Sequence, residues 1–222
     1  MTARPPKRPR PLLSVDRLTL TDRGRNVFTG VSFELAAGAL GVVHGPAGSG
    51  RSCLLLAASG RVRGLQGAGR VAGLDLVTQA RAVRRRSAVA RISDLVDLEP
   101  QLTVAESITE RSLTDAVPAA AAERAVARVE TLLDCRFPRS SLITELSPLD
   151  QGRLALALAG VRAGELIVFD DVDRALDPDD QRRLYQAMTA VAATGPAVLA
   201  STNTALSVPD HAVVVTLGDQ EI

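Results

Sequence analysis

Residues 45–52 read Gly-Pro-Ala-Gly-Ser-Gly-Arg-Ser, a G-x-x-x-x-G-basic-Ser arrangement. Glycines at that spacing let consecutive backbone N–H groups converge on phosphate oxygens. A helix beginning at the end of the run adds the positive end of its dipole. Ser52 then offers a hydroxyl to a phosphate-bound Mg²⁺. A second set lies far downstream, where the apolar run Leu166–Phe169 ends in Asp170 and Asp171. A carboxylate at the tip of a buried strand can reach such an Mg²⁺, usually through water, and the next one can orient or deprotonate a water. Each set alone has a plainer reading: a glycine-rich turn without ligand, and a strand-ending Asp turn. Together they point to a nucleotide phosphate.

The flanking residues supply the elements such a site needs. Ala39–Val43 reads as a buried strand feeding the loop, and the Leu- and Ala-rich stretch Arg51–Ser59 as the helix after it. Leu12–Leu20 and Val31–Leu35 alternate apolar and polar residues as half-buried strands do, with Asp22-Arg23-Gly24-Arg25 a turn between them. Residues 60–73 are glycine-rich, and Val83–Ile92 joins a basic cluster, Arg84-Arg85-Arg86, to a short apolar segment. That cluster reads as a solvated helix face or as a docking surface for membrane subunits or acidic lipid.

Helices are expected over Thr103–Leu113, opened by a Thr103/Glu106 capping box, over Ala119–Leu133 after Pro118, and over Leu146–Val161 and Asp179–Ala193. Leu166–Phe169, Val198–Ala200 and Val213–Leu217 read as strands. Strands alternating with helices predict an α/β fold with a mainly parallel sheet.

Composition excludes several classes. Aromatic residues are 2% of the 222, with no Trp, so stacking platforms for single-stranded nucleic acid are lacking; a formal net charge of +1 also argues against a nucleic-acid partner. No apolar run approaches the ~20 residues of a membrane span, and the N-terminus lacks a signal-like apolar stretch. The expected location is therefore cytoplasmic, with any membrane span supplied by another chain. Cys53 and Cys135 lack metal-ligand spacing and read as free thiols in a reducing compartment. Residues 1–11 hold four basic residues, four prolines and no acid, which predicts a disordered tail. His44 and His211 have no partner at metal or triad spacing and read as structural.

From about Leu12 to the end, the chain resembles the ATP-binding subunits of ABC (ATP-binding cassette) transporters. The first strands with the phosphate loop carry the likeness, as do LEPQLTVAES (Leu98–Ser107) and the ungapped stretch Leu146–Asp177. The closing GDQEI resembles that family's final turn. The resemblance implies a P-loop NTPase fold of the cassette type. Its parallel core would carry an N-terminal antiparallel β-subdomain and a small helical subdomain inserted at about 95–160, within one domain at 12–222. It implies ATP and Mg²⁺ as cofactors. Gly45, Pro46, Gly48, Ser49, Gly50, Arg51, Ser52 and Cys53 would bind nucleotide, and Ser147 would touch a partner cassette's nucleotide. Ser52 and Asp170 would hold the metal, and Asp171 would act as catalytic base. The implied partners are a transmembrane permease subunit and a second cassette, as homo- or heterodimer, at the inner face of the cell membrane.

Departures from the family pattern fall on the same positions. Its phosphate-loop Lys is Arg51, planar and bulkier than the compact ammonium. Its Q-loop Gln falls at Asp94, or at Ser93 if the loop shifts by one. Its signature Leu-Ser-Gly-Gly-Gln is Leu146-Ser147-Pro148-Leu149-Asp150, where Pro148 has no N–H to donate. Its catalytic Glu is Asp171, whose carboxylate ends roughly 1.5 Å shorter. Its H-loop His is Asn203, and residues 20–25 lack its adenine-stacking aromatic. Slow or absent hydrolysis is the expectation. The alternative is a non-catalytic regulatory or assembly subunit that keeps the cassette fold.

Overall fold

A computed structural model of the chain describes residues 10–218. The expected disordered tail lies outside them but for its last two residues, and so do the last four residues of the closing GDQEI. Two sheets organise the rest. Strands β1 (Leu13–Asp22), β2 (Arg25–Leu35), β4 (Leu65–Val71) and β5 (Leu74–Asp75) form an antiparallel sheet in the order β2-β1-β4-β5. Strands β3 (Leu40–His44), β6 (Ser87–Arg91), β7 (Leu166–Phe169), β8 (Ala197–Thr202) and β9 (Val213–Thr216) form a parallel sheet in the order β6-β7-β8-β3-β9. The fold is α/β with an antiparallel and a parallel sheet.

Strands β3, β6, β7 and β8 are buried along almost their whole length, as covering on both faces requires, while the edge strand β9 is mostly exposed. On one face, helix α1 (Arg51–Ala58) and the antiparallel sheet share a core with Val43, Val168 and Leu199. On the other, α5 (Pro148–Ala159) and α6 (Pro178–Ala193) pack against Val42, Ile167 and Ala200. Helix α5 also faces outward. Its Leu154, Ala157 and Leu158 join a third core with α3 (Val104–Thr114), α4 (Ala119–Leu132) and Phe137. One helix thus presents two apolar faces, because its sequence LALALA is apolar all round.

Local signals set the ends. Thr103 Oγ1 accepts from the Glu106 N–H at 3.2 Å, and the Glu106 carboxylate accepts from the Thr103 N–H at 2.7 Å, a capping box. Ser147 and Asp177 cap α5 and α6, each followed by Pro at the first helical position. Two readings needed extension. The glycine-rich stretch 60–73 contains β4, whose Gly67 and Gly69 leave the run without apolar alternation although Leu65, Gly69 and Val71 are buried. The basic cluster belongs to a short helix, α2 (Ala80–Arg86), that ends where β6 begins. Among the described residues no helix is long and apolar enough to cross a membrane.

Candidate functional site

Parallel strands put their carboxyl ends on one edge, where α/β sheets form ligand crevices. Here β3 delivers the loop 45–50, β6 delivers Ser93, β7 delivers Asp170 and Asp171, and β8 delivers Asn203. The loop turns back into α1 through Gly48 (φ 82°) and Gly50 (φ 88°), both in the left-handed region. An added Cβ at Gly50 would overlap the Val27 carbonyl of β2, and one at Gly45 would lie 2.5 Å from the Leu217 carbonyl oxygen. Only glycine fits either place.

The donor set suits an anion. Of the loop amides, Ser49 N–H donates to the Pro46 carbonyl at 3.2 Å. Those of Gly48, Gly50, Arg51, Ser52 and Cys53 donate to no protein group among the described residues. These are the orphan donors of a helix N-terminus, converging at the positive end of its dipole. The Ser49 hydroxyl in the same loop is buried without a partner among the described residues. A phosphate therefore fits the cradle. A metal has a thinner set from this chain, the Ser52 hydroxyl and the Asp170 carboxylate, so Mg²⁺ needs phosphate oxygens as further ligands.

The Arg51 side chain turns inward and is 8% exposed. Its Nη1 donates to the Gly45 carbonyl and, at 2.6 Å, to the Pro46 carbonyl. Its Nη2 reaches Asp171 Oδ1 at 3.1 Å and Asn203 Oδ1 at 3.5 Å. One guanidinium thus ties together the ends of β3, β7 and β8. Its planar fork permits this, whereas an ammonium presents a single point charge. Asp171 Oδ2 accepts from the Ser93 hydroxyl at 2.6 Å, so both carboxylate oxygens have protein donors. Asp171 itself sits at φ 47°, a left-handed conformation that Asp tolerates better than most residues.

Asp170 is fully buried. Its Oδ1 accepts from the Ser201 hydroxyl and its Oδ2 from the Ser93 N–H at 3.3 Å, leaving lone pairs on each oxygen. Ser201 Oγ also accepts from the Asp171 N–H at 3.0 Å, which fixes both carboxylates to β8. Arg91 clamps the same turn from β6. Its Nε and Nη2 donate to the Asp170 and Asp171 carbonyls at 3.2 and 2.7 Å, and its guanidinium lies 4.5 Å above the Phe169 ring centroid. Burial lowers the Arg91 guanidinium from its ordinary value. Burial likewise pushes the Cys53 thiol up, and the Asp170 and Asp22 charges add to this, so Cys53 stays a neutral thiol beside the loop.

The crevice therefore unites Gly45, Pro46, Gly48, Ser49, Gly50, Arg51, Ser52 and Cys53 with Asp170 and Asp171. Ser147 stands apart, at the start of α5, where its hydroxyl donates to Asp150 Oδ2 at 2.8 Å and accepts from the Asp150 N–H at 3.1 Å. Of the two Q-loop alternatives, Ser93 meets the carboxylates, while Asp94 is exposed. Sequence reasoning missed Arg91 and Ser201. The one available signal for Arg91 was an arginine inside the apolar run Ala88–Ile92, a charge that a buried strand carries only with partners.

Comparison with known proteins places the chain in a family and agrees with the fold. The family model described as "ABC transporter" matches residues 28–173. The lipoprotein-releasing system ATP-binding protein LolD of Maricaulis maris is 31% identical over 195 residues, covering 86% of this chain and 85% of LolD. Nod factor export ATP-binding protein I of Rhizobium meliloti is 27% identical over 211 residues, and the chain spans 60% of that protein's length. A nucleotide-free ATP-binding cassette from an ABC transporter shares the fold with a TM-score of 0.76, covering 94% of this chain and 88% of that one at 14% identity.

Proposed function

Because this chain belongs to the ABC transporter family, we propose that it is an ATP-binding subunit that binds ATP with Mg²⁺, couples to a separate transmembrane subunit at the inner face of the membrane, and hydrolyses ATP slowly or not at all. The loop amides of Gly48, Gly50, Arg51, Ser52 and Cys53 would hold phosphate oxygens. The Ser52 hydroxyl and, through water, Asp170 would hold the metal. Bound ATP supplies a phosphoanhydride bond and binding energy for closing two cassettes on each other. Ser147 faces the partner's nucleotide in that arrangement.

The observation that carries the reading is the pair of states within one crevice: free amides beside a carboxylate already in an ion pair. Five amides are free to bind anion, while Asp171 is held by Arg51 at 3.1 Å and by Ser93 at 2.6 Å. A water would have to compete with Arg51 and Ser93 for these two oxygens, because each already accepts from a protein donor. Asp171 is also one methylene shorter than Glu, and a displacement of ~1 Å costs about a hundredfold in rate. Arg91 holds the backbone of the same turn, so the carboxylate has little freedom to advance. The Arg51–Asp171 pair equally supports the non-catalytic reading, in which nucleotide only drives closure.

Calorimetric titration of the purified chain with ATP, with and without Mg²⁺, tests the binding half; binding that is absent in both overturns it. A turnover assay tests the other half. The expected rate is well below about 1 per second, and a rate around 1–10 per second or more, typical of efficient enzymes, overturns it.

A further inference from the structure

The basic cluster of α2 has no part in the crevice, yet it does not stand alone. Arg61 follows the end of α1, Arg84 lies in the last turn of α2, and Arg162 follows α5. All three gather at the amino end of β6, on the sheet edge opposite the phosphate loop. Arg61 Nη1 donates to the Ser59 carbonyl at 2.9 Å and the Ser87 hydroxyl at 3.1 Å. Arg84 Nη2 donates to the Gly60 carbonyl at 3.3 Å. Arg162 Nη2 donates to the carbonyls of Arg84 and Ser87, both at 3.1 Å.

Helix C-termini attract cations, so one arginine at each end needs no special account. Three on the same two segments do. Carbonyls are dipoles and leave the net charge in place, and among the described residues no carboxylate lies within ion-pair distance of Arg61, Arg84 or Arg162. Their neighbour Arg111 is paired with Asp115 at 2.6 Å, and Arg86 with Glu165. With about five N–H donors on each guanidinium, most of the donors of the trio are unused. The Arg162 Nε is buried with no partner among the described residues. The Arg61 guanidinium is lowered to about 10, first by burial and then by the charges of Arg84, Arg162 and Arg111, with Asp115 acting in the opposite direction.

We propose that Arg61, Arg84 and Arg162 form a phosphoryl-anion site at the amino edge of the parallel sheet, separate from the loop at 45–53. Planar guanidinium forks match phosphate oxygens in pairs, and a group carrying about two negative charges offsets most of the three positive charges of the trio. The ligand is a phosphoryl group, free in solution or in an anionic lipid headgroup.

The experiment uses the full chain and reads position. Hydrogen exchange is followed with inorganic pyrophosphate at low salt for the wild type, R84Q and R84Q/R162Q. Co-sedimentation of the same proteins is measured with phosphatidylglycerol vesicles and with phosphatidylcholine vesicles. Arg84 is exposed, so R84Q serves if the double variant does not fold. A free anion as ligand is expected to slow exchange at residues 59–63 and 84–88, with the effect weakened at least tenfold in concentration in the variants. A headgroup as ligand is expected to give sedimentation with phosphatidylglycerol only, lost in the variants. Protection confined to residues 45–53 together with no variant-sensitive sedimentation overturns the site. So does a response equal in all three proteins.

Discussion

The two edges of the parallel sheet use arginine in opposite ways. At the carboxyl edge, Arg51 and Arg91 are 8% and 7% exposed. Arg51 meets a carboxylate, and Arg91 meets two carbonyls and an aromatic face among the charges of Asp97, Asp171 and Asp170, against that of Arg174. At the amino edge, Arg61, Arg84 and Arg162 meet carbonyls and a hydroxyl, with their charge left over. The difference separates two uses of one side chain. A matched cation is a structural part, and removing its partner strands a buried charge. An unmatched cation adds little to stability but raises the local potential for an anion. The formal net charge of +1 averages over both.

The largest effect is expected at Asp171. Asp171→Ala leaves the buried Arg51 guanidinium with the Gly45, Pro46 and Asn203 oxygens, and losing the carboxylate partner of a buried cation costs about 3 kcal/mol. For a chain of this size that lowers Tm by roughly 6–12 °C. A thermal scan showing a shift under about 2 °C would mean the pair behaves like a surface ion pair and the carboxyl edge is not matched at all.

A third matched arginine sharpens the same point through pH. Glu130 is 4% exposed and receives Arg139 on both oxygens at 2.9 Å and the Phe137 N–H at 2.8 Å. Burial alone would push its carboxyl up, but Arg139 and Phe137 hold it below the ordinary carboxylate value. A carboxyl lowered in the folded state contributes stability above its unfolded value and loses it as pH falls through the folded one. Glu130→Gln is therefore expected to cost about 2 kcal/mol at pH 7 and progressively less below about pH 4. Denaturant titrations at pH 7 and pH 3 with an equal deficit at both would refute the pairing.

How much of this was legible beforehand follows from what each feature depends on. Helix α3 could be read closely from Thr103 and Glu106, because a capping box is local. Strand β7 could be read to the residue, because a wholly apolar run closed by two Asp has no other comfortable place. The loop 45–52 was legible because its glycines answer a local geometric need. The Arg51–Asp171 contact was not: its partners are 120 residues apart, and nothing near either marks the other. Arg91 and the trio at the amino edge were hidden for the same reason, since pairing or its lack is a property of the folded edge. Among the shared features, the Ser93 and Asp94 alternatives could be separated only by which one meets the carboxylates.

A smaller effect calibrates the scale. Thr103→Ala removes an exposed cap on α3 and touches neither edge, so it is expected to cost about 1 kcal/mol by denaturant titration. If Asp171→Ala costs no more than this, the buried pair has no special standing.

The smallest expected effect is the most discriminating. Arg84 is exposed and donates one bond, at 3.3 Å, to the Gly60 carbonyl. Losing that bond alone would destabilise slightly, whereas relief of repulsion from Arg61 and Arg162 acts in the opposite direction. Both effects are within about 0.5 kcal/mol, so magnitude does not separate them. Salt does. Repulsion is screened within about 10 Å at 0.1 M salt and within about 3 Å at 1 M, whereas a bond to a carbonyl is nearly salt-independent. Arg84→Gln is therefore expected to match or exceed the wild type in stability at 10 mM salt and to fall slightly below it at 1 M. A deficit that is the same at both salt concentrations would show that the amino edge carries no unbalanced charge, and that its arginines are caps like any others.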